Sequence, residues 1–575
     1  MIEIKRRQAA QNTAFPASIP PLLQRIYANR GITSEGELER SAKGLLNYSE
    51  LYGIERAVEL LSAAMADGRR IIVVGDFDAD GATSSALSVT AFRMMGCTNV
   101  DYLVPNRFDD GYGLSPEVVE QAAAKGAELI MTVDNGVSSI EGVAAAKARG
   151  IQVVVTDHHL PGSVLPDADA MVNPNLNECG FPSKSLAGVG VAFYLMLALR
   201  AHLRETGWFA AHGMQEPNLA ELLDLVALGT VADVVSLDTN NRILVHQGLM
   251  RIRAGKCRPG IQALIEVANR NMATLVASDF GFALGPRINA AGRLDDMSFG
   301  IELLLSQHLQ AARQMACELD ALNQSRKEIE QGMKEEAMAI CERLQFGEGS
   351  SLPCGLALFQ REWHQGVIGI LASRIKDKFH RPVIAFADGG DSMIKGSARS
   401  IQGLHMRDTL DMIDTQNPGL IKKFGGHAMA AGLTISEADF DRFAKLFDDA
   451  VRNIVGEDEL KGILLSDGEL LPTEITLDVA ETLRAGGPWG QGFPEPLFDG
   501  TFKLLHQKLV GGKHLKMMVE PVMGGQMVDA IAFNVDLRRW PDPSVQRVEL
   551  AYRLDVNEFR GNRTVQLMVE HMAAV

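Results

Sequence analysis

Cysteine is scarce and unpaired in this sequence: six thiols, at positions 97, 179, 257, 317, 341 and 354, include no CxxC. That excludes a thiolate zinc knuckle, gives no basis for a disulfide frame, and fits the reduced thiols of a cytoplasmic protein. No apolar run reaches the ~20 residues of a bilayer span. The longest, Leu186–Leu199, contains Gly188 and Gly190 and reads as a buried helix. Lys5, Arg6 and Arg7 lack a following apolar segment, so a secretory signal is not expected. There is no GxxxxGK[ST], so ATP use is not indicated. Aromatics are few, at 6%, which leaves a core built on Val, Leu and Ala. A net charge of -16 speaks against a uniformly basic nucleic-acid binder. The acidity is uneven, however. Residues 361–427 hold ten Lys and Arg against seven Asp and Glu, and residues 501–575 hold ten against eight. Such local faces can bind phosphates on a negative molecule. A chain of 575 residues exceeds one core, so several domains are expected.

What is present is organised around Ile71–Gly81, IIVVGDFDADG. Ile71–Val74 is short, β-branched and without polar alternation, the pattern of a strand buried on both faces of a parallel sheet. Asp76, Asp78 and Asp80 follow at alternate positions, and Gly75 and Gly81 let the backbone bend there. Three neighbouring carboxylates repel one another and call for neutralising cations. Strand and helix then alternate. A helix over Ala82–Met95 follows the first strand. Strand Asp101–Val104 leads to helix Pro116–Lys125, capped by Ser115 and stopped at Gly126. Strand Leu129–Val133 leads to helix Ile140–Ala148, and strand Gln152–Thr156 follows. This is the rhythm of an α/β doubly wound parallel sheet.

Ligands of such sheets lie at the carboxyl ends of the strands. The polar clusters fall there: Asp76, Asp78 and Asp80; Asn106 and Arg107 in PNRFDDGYGL; Asp134 and Asn135 in TVDNG; Asp157, His158 and His159 in VTDHH. A later apolar segment, LLDLVALGTVADVV, delivers Asp233. Residues 240–300 read as helical, with Arg287, Asn289 and Arg293 together in GPRINAAGRLDD. From Gln307 to Leu344 the apolar spacing predicts one helix of about 55 Å, long enough to connect two domains. A second α/β domain opens at strand Leu356–Phe359 and continues with strand Pro382–Phe386. KGSARS and KFGGHAMAAG read as turns carrying Ser397, Arg399, Lys422, Lys423 and His427, with Gly425 and Gly426 able to admit a phosphate close to the backbone. Five short strands after residue 500 suggest a small barrel of OB type. Trp489 and Phe493 in GGPWGQGFPEP read as packing aromatics ahead of it. The expected divisions are a helical extension over 1–70, a catalytic domain over 71–300, the long helix over 301–350, the second domain over 351–455 and the barrel over 460–575.

Five carboxylates and an imidazole are too many ligands for one ion and suit two bridged divalent cations. The imidazole favours Mn²⁺ over Mg²⁺. Such a pair activates water and clamps an in-line displacement at phosphorus, so hydrolysis of a phosphate ester or anhydride is expected.

VVGDFDADG, TVDNG, VTDHH and GTVADVV, in that order, resemble the DHH phosphoesterases, and KFGGHAMAAG resembles their associated DHHA1 domain. NRFDDGYGL, SLAGVGVAF, GPRINAAGR and GPWGQGFPEP narrow the resemblance to the RecJ exonucleases of that superfamily, over almost the whole chain. Asp109–Asp110 stand where that family commonly has an acidic pair containing Glu. The resemblance implies a metal-dependent exonuclease that degrades single-stranded DNA 5′→3′ in recombination and repair, using two Mn²⁺ or Mg²⁺ ions. It implies that Asp76 and Asp78 hold one ion, that Asp80, His158 and Asp233 hold the other, and that Asp134 bridges. It further implies His159 beside the scissile phosphate and Asp157 behind it. Arg107, Arg287, Asn289, Arg293, Ser397, Arg399, Gly425, Gly426 and His427 become candidates to grip the strand or its 5′ end. Implied partners are a single-strand-binding protein and a RecQ-type helicase, for a monomer without membrane contact. The alternatives are a hydrolase of small phosphates or oligonucleotides and a non-catalytic DNA-binding scaffold. The former has no need of the barrel or the long helix. The latter has no need of an intact carboxylate set.

Overall fold

The computed structural model describes residues 2–107, 113–346, 352–456, 459–559 and 561–575. The FDDGY part of PNRFDDGYGL, with Asp109–Asp110, and the GEGSS of FGEGSSLP lie outside the described residues. The chain forms two compact units. The larger takes Arg6–Asp320 and Leu465–Val575; the smaller takes residues 2–5 and Ala321–Leu464.

The N-terminal extension is not purely helical. Strand β1 (Ile2–Arg6) precedes helices Pro21–Ala28 and Ile54–Ala66. The alternating charge of IEIKR hides a strand whose exposed residues include Lys5 and Arg6. The larger unit is then built on β2 (Ile71–Val74), β3 (Val100–Leu103), β4 (Leu129–Val133), β5 (Gln152–Thr156) and β6 (Ala170–Val172). Their order is β3-β2-β4-β5-β6 and every pairing is parallel. All residues of β2 and β4 are buried, which accounts for their unbroken apolar runs. Ile72, Val74, Ile130, Val153 and Val155 pack on Val118, Val119 and Val143 of the helices Pro116–Ala124 and Ile140–Ala148. Ser115 accepts the N–H of Val118 and so caps the first of these. β6, three residues long, is too short to show in the sequence pattern. The strand order reverses between β2 and β4, the switch point at which open α/β sheets bind ligands.

Helix Leu309–Phe346 has 38 residues, about 57 Å at 1.5 Å per residue. From Ala321 onward it belongs to the smaller unit. There Trp363 Nε1 donates to Glu336 at 2.7 Å, and the nearly buried Glu330 pairs with Arg326 and, at 2.9 Å, with Arg374. The smaller unit is a mixed sheet of β7 (Leu356–Phe359), β8 (Val383–Gly390), β9 (Met393–Arg399), β10 (Ile421–Gly426) and β11 (Ala430–Ser436), ordered β10-β11-β9-β8-β7. β7 and β8 are parallel and the remaining pairs antiparallel. KGSARS is therefore strand rather than turn, and KFGGHAMAAG is two strands joined by a tight turn at His427–Met429. Ile394, Gly396 and Ala398 alternate inward along β9, but small residues give that alternation little hydropathy contrast. β10 is an edge strand with Lys422 and Lys423 exposed, residues that discourage further pairing.

β12 (Gly462–Ser466) pairs with β1. β13 (Phe498–Val510), β14 (His514–Pro521), β15 (Val528–Ala532), β16 (Arg547–Phe559) and β17 (Asn562–Ala574) close a barrel in the order β13-β14-β15-β17-β16, as expected for an OB fold. Phe502, Met517, Val519, Ala530, Leu550 and Leu567 fill it. Among the described residues no helix is long and apolar enough to cross a membrane.

The segment ahead of the barrel is sealed onto the N-terminal helices. Trp489 and Phe493 stack at 5.0 Å between centroids and face Tyr27 at 6.1 and 6.2 Å, so both are packing aromatics. Arg30 donates to both oxygens of Asp467 at 2.7 and 3.0 Å, with side-chain exposures of 1% and 0%. Cutting the chain at residue 460 would remove Asp467 from Arg30, so the barrel is not an excisable module. Breaking a buried pair by deleting one partner costs about 3–5 kcal/mol. Asp467→Ala should therefore lower unfolding free energy by about that amount in urea titration. A loss under about 1 kcal/mol, the worth of a surface pair, would show that this pair does not seal the junction.

Candidate metal centre

The site grows from the end of β2. Helix Ala79–Met94 begins three residues earlier than the hydropathy suggests, because Asp78 caps it. The Asp78 carboxylate accepts the N–H of Asp80 at 2.9 Å and of Gly81 at 3.0 Å. Asp80 thus lies in the first helical turn, and its carboxylate accepts the N–H of Gly188 at 2.6 Å and of Val189 at 2.9 Å. Those donors open helix Gly188–Glu205, whose N-terminus favours negative charge. Gly188 is required here: a Cβ would lie 2.5 Å from that of Asp134. SLAGVGVAF carries this arrangement, although no single residue in it reveals the role.

Asp134 stands at the end of β4 with φ 62°, a left-handed conformation uncommon outside glycine. Asn135 donates to the carbonyls of Val74 and Val133 and ties the ends of β2 and β4 together. At the end of β5 the Asp157 carboxylate accepts four hydrogens, from the backbone of Val137, His158 and His159 and from Nδ1 of His159 at 2.7 Å. Asn173 and Asn175 donate to the carbonyls of His159 and His158, a clamp that the sequence pattern did not single out. Asp233 comes from a helix rather than a strand: it is the C-cap of Leu223–Ala232. Val234 follows at φ 64°, which for a β-branched residue is strained by roughly 1–2 kcal/mol.

These elements converge. His158 Nε2 lies 3.1 Å from Asp134 Oδ1 and 3.4 Å from Asp233 Oδ2. Three sets each place their ligand atoms within 4.8 Å of one another: Asp76, Asp78 and Asp134; Asp80, His158 and Asp233; Asp134, His158 and His159. Asp134 and His158 each belong to two sets. His158 Nε2 and Asp233 Oδ2 are buried without a hydrogen bond among the described residues, as expected of atoms that await a cation. A donor set of carboxylates and imidazole, without thiolate, fits Mn²⁺ or Mg²⁺.

The electrostatics agree. Burial, followed by the Asp78 charge, holds the Asp76 carboxyl well above the usual range. Burial with Asp233 and Asp78 does the same to Asp80, and burial with Asp80 and Asp78 does so to Asp134. Asp233 is raised by burial, with His158 opposing. Asp157 differs: burial would raise it, but the His159 hydrogen bond and both imidazole charges bring it below the usual value. Burial alone would lower His159, yet its bond to Asp157 and the surrounding acids push it up to about 9.

The chain is similar along its length to known proteins. It is 66% identical over 570 residues to "Single-stranded-DNA-specific exonuclease RecJ" of Dickeya dadantii, with 99% of each chain covered, and 63% identical to the protein of that name from Escherichia coli, again with 99% of each covered. The chain belongs to the RecJ family. The family models "DHH family, N-terminal domain", "DHHA1 domain" and "RecJ OB domain" match residues 70–230, 353–453 and 466–571. Among solved structures, RecJ of Thermus thermophilus in complex with Mn²⁺ is similar with a TM-score of 0.80 and 28% identity, covering 100% of this chain and 80% of that one. The same protein with Mg²⁺ gives 0.74 and 26%, covering 100% and 79%.

The other residues implied by the RecJ resemblance divide between the units. Arg107 lies with Cζ 4.0 Å from the Phe77 ring centroid and donates to the carbonyl of Gly292 at 3.1 Å. Burial lowers its pKa against the pull of Asp76 and Asp78. Asn289 accepts the N–H of Ala79 at 2.8 Å, so it braces the metal turn directly. A Cβ on Gly292 would collide with the Phe77 carbonyl, which is why the second glycine of GPRINAAGR is needed. Arg287 is paired with Asp320 at 2.8 Å and donates to the Ala283 carbonyl. Arg293 sits in the last turn of the same helix, Gly285–Leu294. Ser397, Arg399, Gly425, Gly426 and His427 belong to the smaller unit, on and beside β9 and β10. There Gly425, Gly432 and Ser397 form one cross-strand row. Arg399 is half-buried, donates to Ser397 Oγ at 3.1 Å, and has its pKa lowered by desolvation.

The raised carboxyls set the sign of a pH effect. The folded, metal-free protein holds protons that the unfolded chain releases near pH 4, so its stability falls as pH rises above that value. A cation displaces those protons. Calorimetry in two buffers of different ionisation enthalpy should show proton release on Mn²⁺ binding. The rise in melting temperature caused by Mn²⁺ should grow as pH rises above about 4. A binding event that takes up protons, or a pH-independent rise, would contradict this account.

Proposed function

We propose that this chain is a single-strand-specific DNA exonuclease that removes nucleotides from the 5′ end by divalent-metal-dependent phosphodiester hydrolysis, in the cytoplasm and in DNA recombination and repair. The observation that carries this reading is the convergence of Asp76, Asp78, Asp80, Asp134, His158 and Asp233 at one sheet end, in a chain whose close relatives are named single-stranded-DNA-specific exonucleases. Asp76 and Asp78 would hold one ion, Asp80, His158 and Asp233 a second, and Asp134 both. Bound there, two ions supply an activated water and neutralise charge on the phosphate. The chain's own residues do the rest. Asp157 engages Nδ1 of His159, which fixes the ring and leaves Nε2 as the atom to meet a phosphate oxygen. The N-terminus of helix Gly188–Glu205 holds Asp80 in place, with the orientation in which it would ligate a cation. Arg107, Arg287, Asn289, Arg293, Ser397, Arg399, Gly425, Gly426 and His427 are the candidates to engage the strand. The barrel would follow its backbone by charge and stacking. A single-strand-binding protein and a helicase of RecQ type are the partners this reading entails, and a monomer suffices for it.

Two experiments test the proposal. With Mn²⁺ or Mg²⁺, a 5′-labelled single strand should release labelled mononucleotide at once, while a 3′-labelled strand shortens progressively. Chelator should stop both, and a blunt duplex should persist. Attack from the 3′ end, or equal digestion of the duplex, would refute the assignment. Asp134→Ala removes a ligand from both proposed ions. It should abolish hydrolysis and leave strand affinity within about threefold, since affinity rests mainly on backbone contacts elsewhere. Activity retained within tenfold, about 1.4 kcal/mol in barrier, would end the two-ion scheme.

A further inference from the structure

We infer that Phe282 is the platform on which a nucleobase of the bound strand stacks beside the metal centre, a specificity-determining contact that rests on the exonuclease reading above. Phe282 is 84% exposed, more than any other large apolar side chain among the described residues. The exposure is not that of a loose tip. Phe282 lies in a π-helical turn, Phe280–Leu284, whose other large side chains, Phe280 and Leu284, are fully buried. Anchors on both sides hold the Phe282 ring in solvent. A π-turn is an uncommon distortion that recurs at functional sites.

The turn is close to the carboxylates. A Cβ on Gly281 would lie 3.7 Å from Val231 Cγ1, and one on Gly285 would lie 3.0 Å from the Ala232 Cβ. Val231 and Ala232 end the helix whose C-cap is Asp233, and Asp233 faces His158 at 3.4 Å. Val234 follows, 62% exposed and held at φ 64°. The element that delivers Asp233 is thus edged by two exposed apolar groups, one aromatic. The helix after the π-turn continues to the metal turn through Asn289 and Gly292.

An aromatic ring held in water, on a turn packed against the helix that ends in Asp233, buries little area and so adds little to stability. Its flat face suits a base, whose stacking needs one ring and tolerates any sequence. A protein partner would need about 1,000 Å² of complementary surface, which two side chains do not supply. Bases are available to stack in a single strand and are sequestered in a duplex, so this contact favours the single strand.

The test compares wild type, Phe282→Ala and Phe282→Trp on a 5′-phosphorylated oligothymidylate and on bis(p-nitrophenyl) phosphate, a phosphodiester without bases. Phe282→Ala should raise KM for the oligonucleotide about tenfold with kcat nearly unchanged. It should leave bis(p-nitrophenyl) phosphate hydrolysis and the melting temperature as they are. Phe282→Trp should restore the wild-type KM. Abasic residues placed in turn along the first nucleotides should, at one position, raise KM for wild type and not for Phe282→Ala. A wild type that degrades the oligonucleotide with the same KM as Phe282→Ala overturns this inference alone. A wild type that does not degrade it overturns the exonuclease reading and this inference together.

Discussion

Five aspartates sharing one buried pit repel one another, and the site is built to hold that repulsion until cations relieve it. Two like unit charges 4 Å apart repel by about 4 kcal/mol even in a well-screened protein site. Several such pairs rival the roughly 5–15 kcal/mol by which a domain is stable. Burial first, and the neighbouring acids after it, favour the protonated form in the metal-free state, so Asp76, Asp80, Asp134 and Asp233 are all raised. The scaffold that tolerates this load is a fully buried part of the larger unit: β2 and β4, flanking the switch point of the sheet.

Backbone dipoles and strain then distribute the load. Asp78 faces the amides of its own helix, Asp80 those of a second helix, and Asp157 those of the turn after β4 and of its own two histidines. Asp157, although buried, is brought below the usual carboxylate range by its hydrogen bonds and the two imidazoles. It is also the one of these acids absent from all three potential ligand sets, which matches a role in fixing His159. Left-handed backbone at Asp134 and Val234 marks where the fold gives up local comfort to aim a carboxylate.

The smaller unit has a different electrostatic character. Arg399 is half-buried beside Ser397, and that desolvation lowers the guanidinium pKa. The long helix contributes the buried Asn323, Arg326 and Glu330 to that unit. The barrel belongs to the larger unit, through Asp467 on Arg30 and the Tyr27–Trp489–Phe493 stack. Chain order alone suggests a free C-terminal module; tertiary contacts make it part of the N-terminal one.

Much of this was legible in the chain itself. Buried parallel strands write unbroken β-branched runs, so β2, β4 and β5 could be read almost to the residue, and with them the acids at their ends. Resemblance of the motifs reached as far as the RecJ family, and the carboxylate-rich clusters after strands pointed to the ion class. Short β6, the strand character of KGSARS, and the start of the helix at Ala79 were not legible, since small residues and a capping aspartate blur hydropathy. Nor were the partners of the acids. Gly188 against Asp134, Asn289 on Ala79, and Asn173 and Asn175 on the histidine carbonyls join segments from 14 to more than 200 residues apart. The same holds for Asp233, which a helix end carries to His158, and for Phe282, whose exposure depends on what its neighbours bury. Sequence alone determined which residues could bind metal and where each strand would present them. Tertiary structure decided which atoms meet, because repulsion, burial and hydrogen bonding act between groups that only folding brings within a few ångströms.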